Sequence, residues 1–317
     1  MSITKTPAEA LGFTEYLNQN NYSPVTAKEY HRQTELFAAW YNGEAINTQK
    51  KDILNYLSYL KSVKQLAPIS RNNALIALRH YFDYLQQQNH VDTNPTNLIK
   101  LRGLNRRKLK HIFDLEELTQ LADNYYHIFI QNHELNKLPK NKRHTALLSR
   151  QRNYQILLFF IHQGLTTREV LELQTDDIQL NKAVVTIPKG TTRGNARTIQ
   201  LHATQIGSLM HYLHEVRPQL ANDQSSLLFL PTPQPHIETA NSAQTALIKL
   251  AAQLKTLDSN FSNLPQLRAS VITNWIKTHG LRKAQYLAGH KSIVSTEEYL
   301  PNDIEELAED ITKFNPF

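Results

Sequence analysis

The chain has no cysteine, no long apolar run, no internal repeat and no low-complexity tract. Without cysteine there can be no disulfide scaffold, thiolate zinc site, iron–sulfur cluster or cysteine nucleophile. The longest purely apolar stretch, Ile156 to Ile161, is far too short to span a bilayer. The opening MSITKTPAEALGF lacks the basic-then-apolar order of a secretory signal. These absences lead us to expect a soluble, intracellular protein with no membrane partner.

What is present narrows the choice. At 317 residues the chain is long enough for two ordinary domains. Its 40% apolar and 20% charged residues suit buried cores rather than disorder. It carries 35 Lys+Arg against 28 Asp+Glu, a formal net charge of +7. The last 17 residues hold five of the acids and one base, so the first 300 carry 34 bases against 23 acids, or +11. A surplus of that kind favours a polyanionic partner. The 14 histidines are scattered, and the tightest pair, His211 and His214, has only Glu215 as a nearby carboxylate. No metal site and no cofactor are expected.

The first hundred residues have the 3.6-residue apolar period of helices, at 8–17, from Ser23-Pro24 through Trp40, from about Thr48 through Leu60, and after Pro68 from Ser70 through Leu85. Ser23 as cap with Pro24 at the first helical position is a start signal. A small domain of four or five helices is expected over 1–99. Residues 100–112 follow as a basic linker; 100–110, KLRGLNRRKLK, holds six bases and no acid. Such a segment reads as a solvated linker, and as one that also lies along phosphates. The second domain is expected over 113–317. It opens with a capped helix at 114–121, then a loop-like basic segment at 132–143 and an apolar helix at 153–162 stopped by Gln163-Gly164. Thr166 and Glu169 have capping-box spacing and open a helix to about Leu173. Residues 183–188 and 196–201 read as a β-hairpin around KGTTRGN. Helical patterns return at 204–216, 242–257, 267–278, 283–288 and 304–311. The fold class is mostly α, two helical domains with one small sheet in the second.

Chemistry-bearing residues cluster late. Leu287-Ala288-Gly289-His290 is followed nine residues after the histidine by Tyr299; Leu267-Arg268 stands some 20 residues before; Lys189 lies in the hairpin turn IPKGTTRGNARTIQL. This order resembles the tyrosine recombinase (lambda-integrase) family, and the segments YSPVTAKEYHRQTELFAAW and ISRNNALIALRHYFDYL are similar to Xer-type integrases. The resemblance covers nearly the whole chain. It implies a core-binding domain followed by a catalytic domain, and a tyrosine that attacks a DNA phosphodiester to form a 3′-phosphotyrosine, without metal or ATP. Such a site works by positioning and by stabilising charge on the phosphate oxygens.

Carried over position by position, the resemblance makes Tyr299 the nucleophile, Arg268 a phosphate clamp, His290 a donor to a non-bridging oxygen and Lys189 the acid for the leaving 5′-oxygen. Two positions depart from the family. Gly164-Leu165-Thr166 has threonine where the family's first arginine stands, and Pro265 replaces the histidine of His-x-x-Arg. Losing one preorganised donor costs about 2.7–4 kcal/mol. Hairpin Arg193 and Arg197 are the candidates to replace the missing arginine, Gln266 could donate where the histidine would, and Arg168 reads as a surface residue. Lys28, Arg32, Arg71, Asn72 and Arg79 are the DNA-contact candidates of the first domain, and Arg106, Arg107 and Lys108 those of the linker. The expected partners are double-stranded DNA with specific sites and further copies of this chain as dimer and tetramer, with accessory or sister recombinases as further candidates. The expected setting is the cytoplasm, associated with the nucleoid, and the expected carrier a mobile element. The apolar stripe Ile304, Leu307, Ile311 suggests a C-terminal docking helix. The alternative function is a catalytically weak homologue that binds DNA as an architectural partner.

Overall fold

The computed structural model describes residues 7–102, 111–131, 138–189, 194–220, 225–231 and 242–300. The expected linker contacts Arg106, Arg107 and Lys108, the hairpin Arg193 and the 304–311 helix lie outside them. The chain divides into two compact units, residues 1–108 and 109–317.

The first unit is a bundle of α1 (Pro7–Gln19), α2 (Pro24–Tyr41), α3 (Lys50–Ser62) and α4 (Pro68–Gln87). Ser23 caps α2 by accepting the Thr26 amide at 3.2 Å, with Pro24 at the first helical position. Asp52 turns back to accept the Gln49 amide at the start of α3. Helix α4 begins at Pro68 rather than at Ser70, because a residue without an N–H loses nothing in the first turn. Ile53, Tyr56, Leu57 and Leu60 form the buried stripe of α3, and Leu75, Leu78, Phe82 and Leu85 that of α4. Phe37 sits at the centre, edge-on to Tyr56 and Phe82.

The second unit is built around α6 (Lys140–Gln163), which α5 (Leu115–Tyr125) precedes. Asp114 and Glu117 form a reciprocal capping box on α5, both bonds 2.8 Å. The basic stretch expected to be loop as far as Arg143 is helical from Lys140. Its first turns are largely exposed, so they show no apolar face for a periodicity reading to find. From Ile156 to Ile161 every residue of α6 is buried, as in a helix covered on all sides. Gly164 ends it in the left-handed region at φ +56°, and Thr166 caps α7 (Thr167–Glu172).

The sheet is antiparallel in the order β1 (Ile178–Gln179), β2 (Val184–Ile187), β3 (Arg197–Gln200), with Val185 opposite Ile199 and Ile187 opposite Arg197. The two-residue β1 is too short to carry a pattern and is absent from the expectation. Helix α8 (Ala203–His211) runs through a π-helical turn, Tyr212–Val216, into α9 (Arg217–Leu220). Then follow α10 (Ser242–Leu257), α11 (Leu264–His279), α12 (Leu281–Ala288) and the short α13 (Val294–Glu297). Helix α11 starts three residues earlier than its apolar pattern, capped by Asn263, whose side chain accepts the Gln266 amide at 3.1 Å. Pro265 is therefore a first-turn residue, where proline is tolerated. Among the described residues no helix is long and apolar enough to cross a membrane.

Candidate active site

Strand β3 alternates inward and outward, and Arg197 and Ile199 are its inward residues. An arginine at an inward position must be held by polar partners, since burying a bare cation is costly. Arg197 is 3% exposed; its Nε donates to the Leu287 carbonyl and its Nη1 to Glu169 Oε1, each at 2.7 Å. Its Nη2 is buried and has no hydrogen-bond partner among the described residues.

Glu169 comes from the first turn of α7, where it also accepts the Thr166 amide at 2.8 Å. The oxygen that takes the Thr166 amide, Oε2, also lies 3.8 Å from Arg268 Nη1. Burial pushes the Glu169 carboxyl up, but the Arg197 bond and the two guanidinium charges outweigh it and hold the pKa below the ordinary value. One carboxylate thus sits between two arginines. Thr166, in the position of the missing arginine, serves as the α7 cap, accepting the Glu169 amide through Oγ1.

Arg268 projects from α11 and donates to the carbonyls of Gly164 and Ala288 and to His290 Nε2, the last at 3.2 Å. Burial and the nearby Arg197 lower its pKa, while Glu169 and the nearby Tyr299 phenol oppose that. His290 follows the left-handed Gly289 (φ +71°) that ends α12. A Cβ on Gly289 would stand 2.5 Å from Arg197 Nη1, so both the backbone angle and the guanidinium demand glycine here. The Asn195 amide donates to the Gly289 carbonyl at 2.9 Å, tying the hairpin to this turn. His290 Nδ1 is 2.9 Å from the buried Thr296 hydroxyl, and its ring stacks on Tyr299 with centroids 6.0 Å apart. Burial, then Arg268 and Arg197, pull the His290 pKa down to about 4.

The structure therefore joins Arg197 and Arg268 through Glu169, and Arg268 to His290, on which the Tyr299 ring stacks. Lys189 is exposed just beyond β2. Arg168 is on the surface, paired with Glu172 at 2.7 Å. Gln266 cannot stand in for the missing histidine. Its Nε2 donates to the His111 and Asn260 carbonyls and its Oε1 accepts the Ser262 amide, so the whole side chain is engaged. Two participants escape a sequence reading. Glu169 looks there like a capping residue only, and Thr296 stands six residues after His290 with no spacing rule to flag it.

Two family profiles cover most of the chain: the phage integrase family over residues 129–306 and the phage integrase N-terminal SAM-like domain over residues 11–91. The chain belongs to the phage integrase family. This integrase is 26% identical over 268 residues to a tyrosine recombinase XerC of Caldanaerobacter subterraneus, 84% of this chain and 68% of the relative. It is 24% identical over 302 residues to the TnP I resolvase of Bacillus thuringiensis, 92% and 95% of the two chains. Its fold is that of the XerH site-specific recombinase solved on a palindromic difH substrate, with TM-score 0.69 at 20% identity, covering 98% of this chain and 90% of that one.

The first unit of the integrase keeps its candidate contacts in several states. Lys28 is exposed on α2, and Arg32, also exposed, is forked onto Glu29 at 2.7 and 2.9 Å. On α4, Arg71 and Asn72 are half-buried, and the Arg71 Nε has no hydrogen-bond partner among the described residues. Arg79 is tied to the Ile99 carbonyl at 3.1 Å.

Proposed function

We infer that this integrase cuts and rejoins DNA by transferring a phosphodiester to Tyr299. The observation that carries the reading is the meeting of the Tyr299 phenol, Arg268 and His290 within one polar cluster that also holds a second buried arginine. The phenol oxygen attacks phosphorus, the bond to the 5′-oxygen breaks, and the DNA 3′ end is left on the tyrosine. Reversal by a 5′-hydroxyl reseals a strand, so no external energy source is needed. Arg268 supplies charge to the non-bridging oxygens, which in a water-poor site is worth far more than in solvent. Arg197 takes the place of the arginine that Thr166 lacks, with two of its three nitrogens fixed by Leu287 and Glu169 and the third left for phosphate. Lys189 protonates the leaving oxygen from the hairpin.

DNA is the partner. Residues 1–99 serve as the core-binding domain, 100–112 as a linker along the phosphates through Arg106, Arg107 and Lys108, and 113–317 as the catalytic domain. Lys28, Arg32, Arg71, Asn72 and Arg79 supply phosphate and base contacts. Assembly on paired sites is dimeric and then tetrameric, with specific recombination sites on the DNA. The loss of two family donors favours a second reading, an architectural DNA-binding homologue with little chemistry of its own.

Covalent trapping separates the two. Nicked duplexes tiled from the DNA flanking the gene are incubated in EDTA with wild type and with Tyr299→Phe, then run on denaturing gels. A retarded adduct with wild type alone supports transfer to Tyr299. Site-specific binding without any adduct establishes the architectural reading instead.

A further inference from the structure

Arginine can only donate hydrogen bonds. Its contact with His290 therefore fixes the state of the ring. Nε2, 3.2 Å from Arg268 Nη2, must present a lone pair, and the ring proton must sit on Nδ1, where it is donated to Thr296 Oγ1 at 2.9 Å. Thr296 is fully buried and stands in the segment leading to Tyr299, so the hydroxyl holding the tautomer is itself held by packing. The family resemblance would make His290 a donor to the phosphate. Its geometry here is that of an acceptor, and the Tyr299 ring stacks on it, with Arg268 beside both.

We propose that His290 Nε2, once Arg268 turns from it to the phosphate, takes the phenolic proton of Tyr299 as the phosphorus–oxygen bond forms, and that Thr296 is the positioning residue that keeps the ring proton on Nδ1 and the lone pair on Nε2. The proposal rests on the recombinase reading above and assigns a base to a site whose usual second histidine is replaced by Pro265. Protons and bonds balance with the role proposed above for Lys189. The phenol proton passes to Nε2, the Tyr299 oxygen bonds to phosphorus, the 5′-oxygen leaves with a proton from Lys189, and religation runs each transfer backwards.

The charged groups facing His290 are Arg268 from α11, Arg197 from β3 and Glu169 from α7, with the Tyr299 phenol beside them. In the DNA-free protein the two cations and burial keep the ring neutral. A seated phosphate offsets both guanidinium charges as it gains negative charge in the transition state, so the ring becomes more basic when a proton must be taken.

The test is single-turnover adduct formation on a nicked duplex from pH 6 to pH 10, with wild type, H290W, T296V and T296S, each checked for folding by its melting transition and for DNA binding by gel shift. Tryptophan keeps a ring N–H donor but has no acceptor nitrogen. The expected result is a wild-type rate that is flat above neutrality. H290W is slower by about 10²–10⁴ at pH 7, and its defect narrows steadily toward pH 10 as solvent hydroxide takes over the proton transfer. T296V shows a weaker form of the same pH-rescued defect, and T296S stays within a few-fold of wild type. H290W within a few-fold of wild type across the range, or a defect of constant size at every pH, overturns the base assignment and leaves the recombinase reading standing. A wild type that binds the duplex yet forms no adduct at any pH removes both.

Discussion

The two units bury different things. Among the described residues of the first, the buried polar side chains are Thr34, Thr48, Asn94 and Thr96, all neutral, while Lys28 and Arg32 are out in solvent. In the second, Arg152 and Arg197 are buried outright and the Arg268 side chain is 12% exposed. An exposed cation attracts a polyanion at long range and is weakened by salt. A buried one acts over a few ångströms in a low dielectric, but must be held by carbonyls and carboxylates that offset its lost hydration. On the function proposed above, the difference fits affinity in one unit and chemistry in the other.

The sharpest way to break that contrast is to delete an arginine from each unit. Arg197→Ala removes the nearest cation from Glu169 and the donor to Leu287, and should cost about 3–5 kcal/mol of stability, read as a urea midpoint shift. Where the variant still folds, adduct formation should fall by about 10²–10³. Arg197→Lys should restore little of it, because an ammonium cannot hold the carbonyl and the carboxylate in the same fork. Arg32→Ala removes an exposed pair with Glu29 and should change stability by less than about 1 kcal/mol. Equal losses at the two positions would mean that burial is not what separates the units.

A glycine probes the same point on a smaller scale. Gly289→Ala places a Cβ 2.5 Å from Arg197 Nη1 at a backbone angle of φ +71°, and about 1–3 kcal/mol of destabilisation is expected. Gly207 lies inside α8 with nothing within 4 Å of an added Cβ. There the same substitution should stabilise by up to about 1 kcal/mol, because alanine is the better helix former. The pair of melting curves checks both signs.

Much of this frame is legible in the sequence, because helix caps and apolar periods are local. Ser23-Pro24, the capped start at Asp114, Gly164 and the Thr166–Glu169 box all stand where the pattern places them. The hairpin is legible too, since β2 and β3 pair as alternation suggests. What escapes is set by tertiary contact. The polar start of α6 has no apolar stripe to show, and β1 is two residues long. The role of Glu169 depends on Arg197, 28 residues away along the chain, and on Arg268, which is farther still. Gln266 looks available in the sequence and is fully engaged in the fold, for the same reason.

On the side of affinity, Lys28→Ala should weaken DNA binding without touching the chemistry. A lysine on phosphate contributes to binding through counterion release, so its loss should reduce the slope of log K against log salt by about 1. The rate of adduct formation at saturating protein should be unchanged. A binding titration at several salt concentrations reads the first, and a single-turnover assay the second. A fall in the saturating rate would place Lys28 in the chemistry and erase the division of labour.

The smallest expected effect concerns histidines, which the two units also treat differently. In the first, half-buried His80 stacks on Tyr30 and bonds the Tyr22 hydroxyl at 3.0 Å. Burial lowers its pKa, Arg79 adds to that, and Asp83 pulls the other way. In the second, His162 at the end of α6 stacks on His202 at 4.4 Å, and burial followed by the second ring brings it down to about 4 from 6.5. Both shifts are downward, so both neutral rings contribute stability that is present above about pH 6.5 and is lost as pH falls, because the unfolded chain then binds the proton first. For His162 that window extends from 6.5 to about 4, and His290 shares it. Glu169, with its pKa below the carboxylate value of 4.5, keeps its contribution above about pH 4.5 and loses it as pH falls further. The urea midpoint should therefore fall between pH 7.5 and pH 5, and His162→Gln should remove part of that fall while leaving the share due to His290. His80→Gln should remove less, since Asp83 already offsets part of the penalty on its charged form. If His80→Gln flattens the pH dependence more than His162→Gln does, the stacked ring of His202 is not the cost assigned to it here.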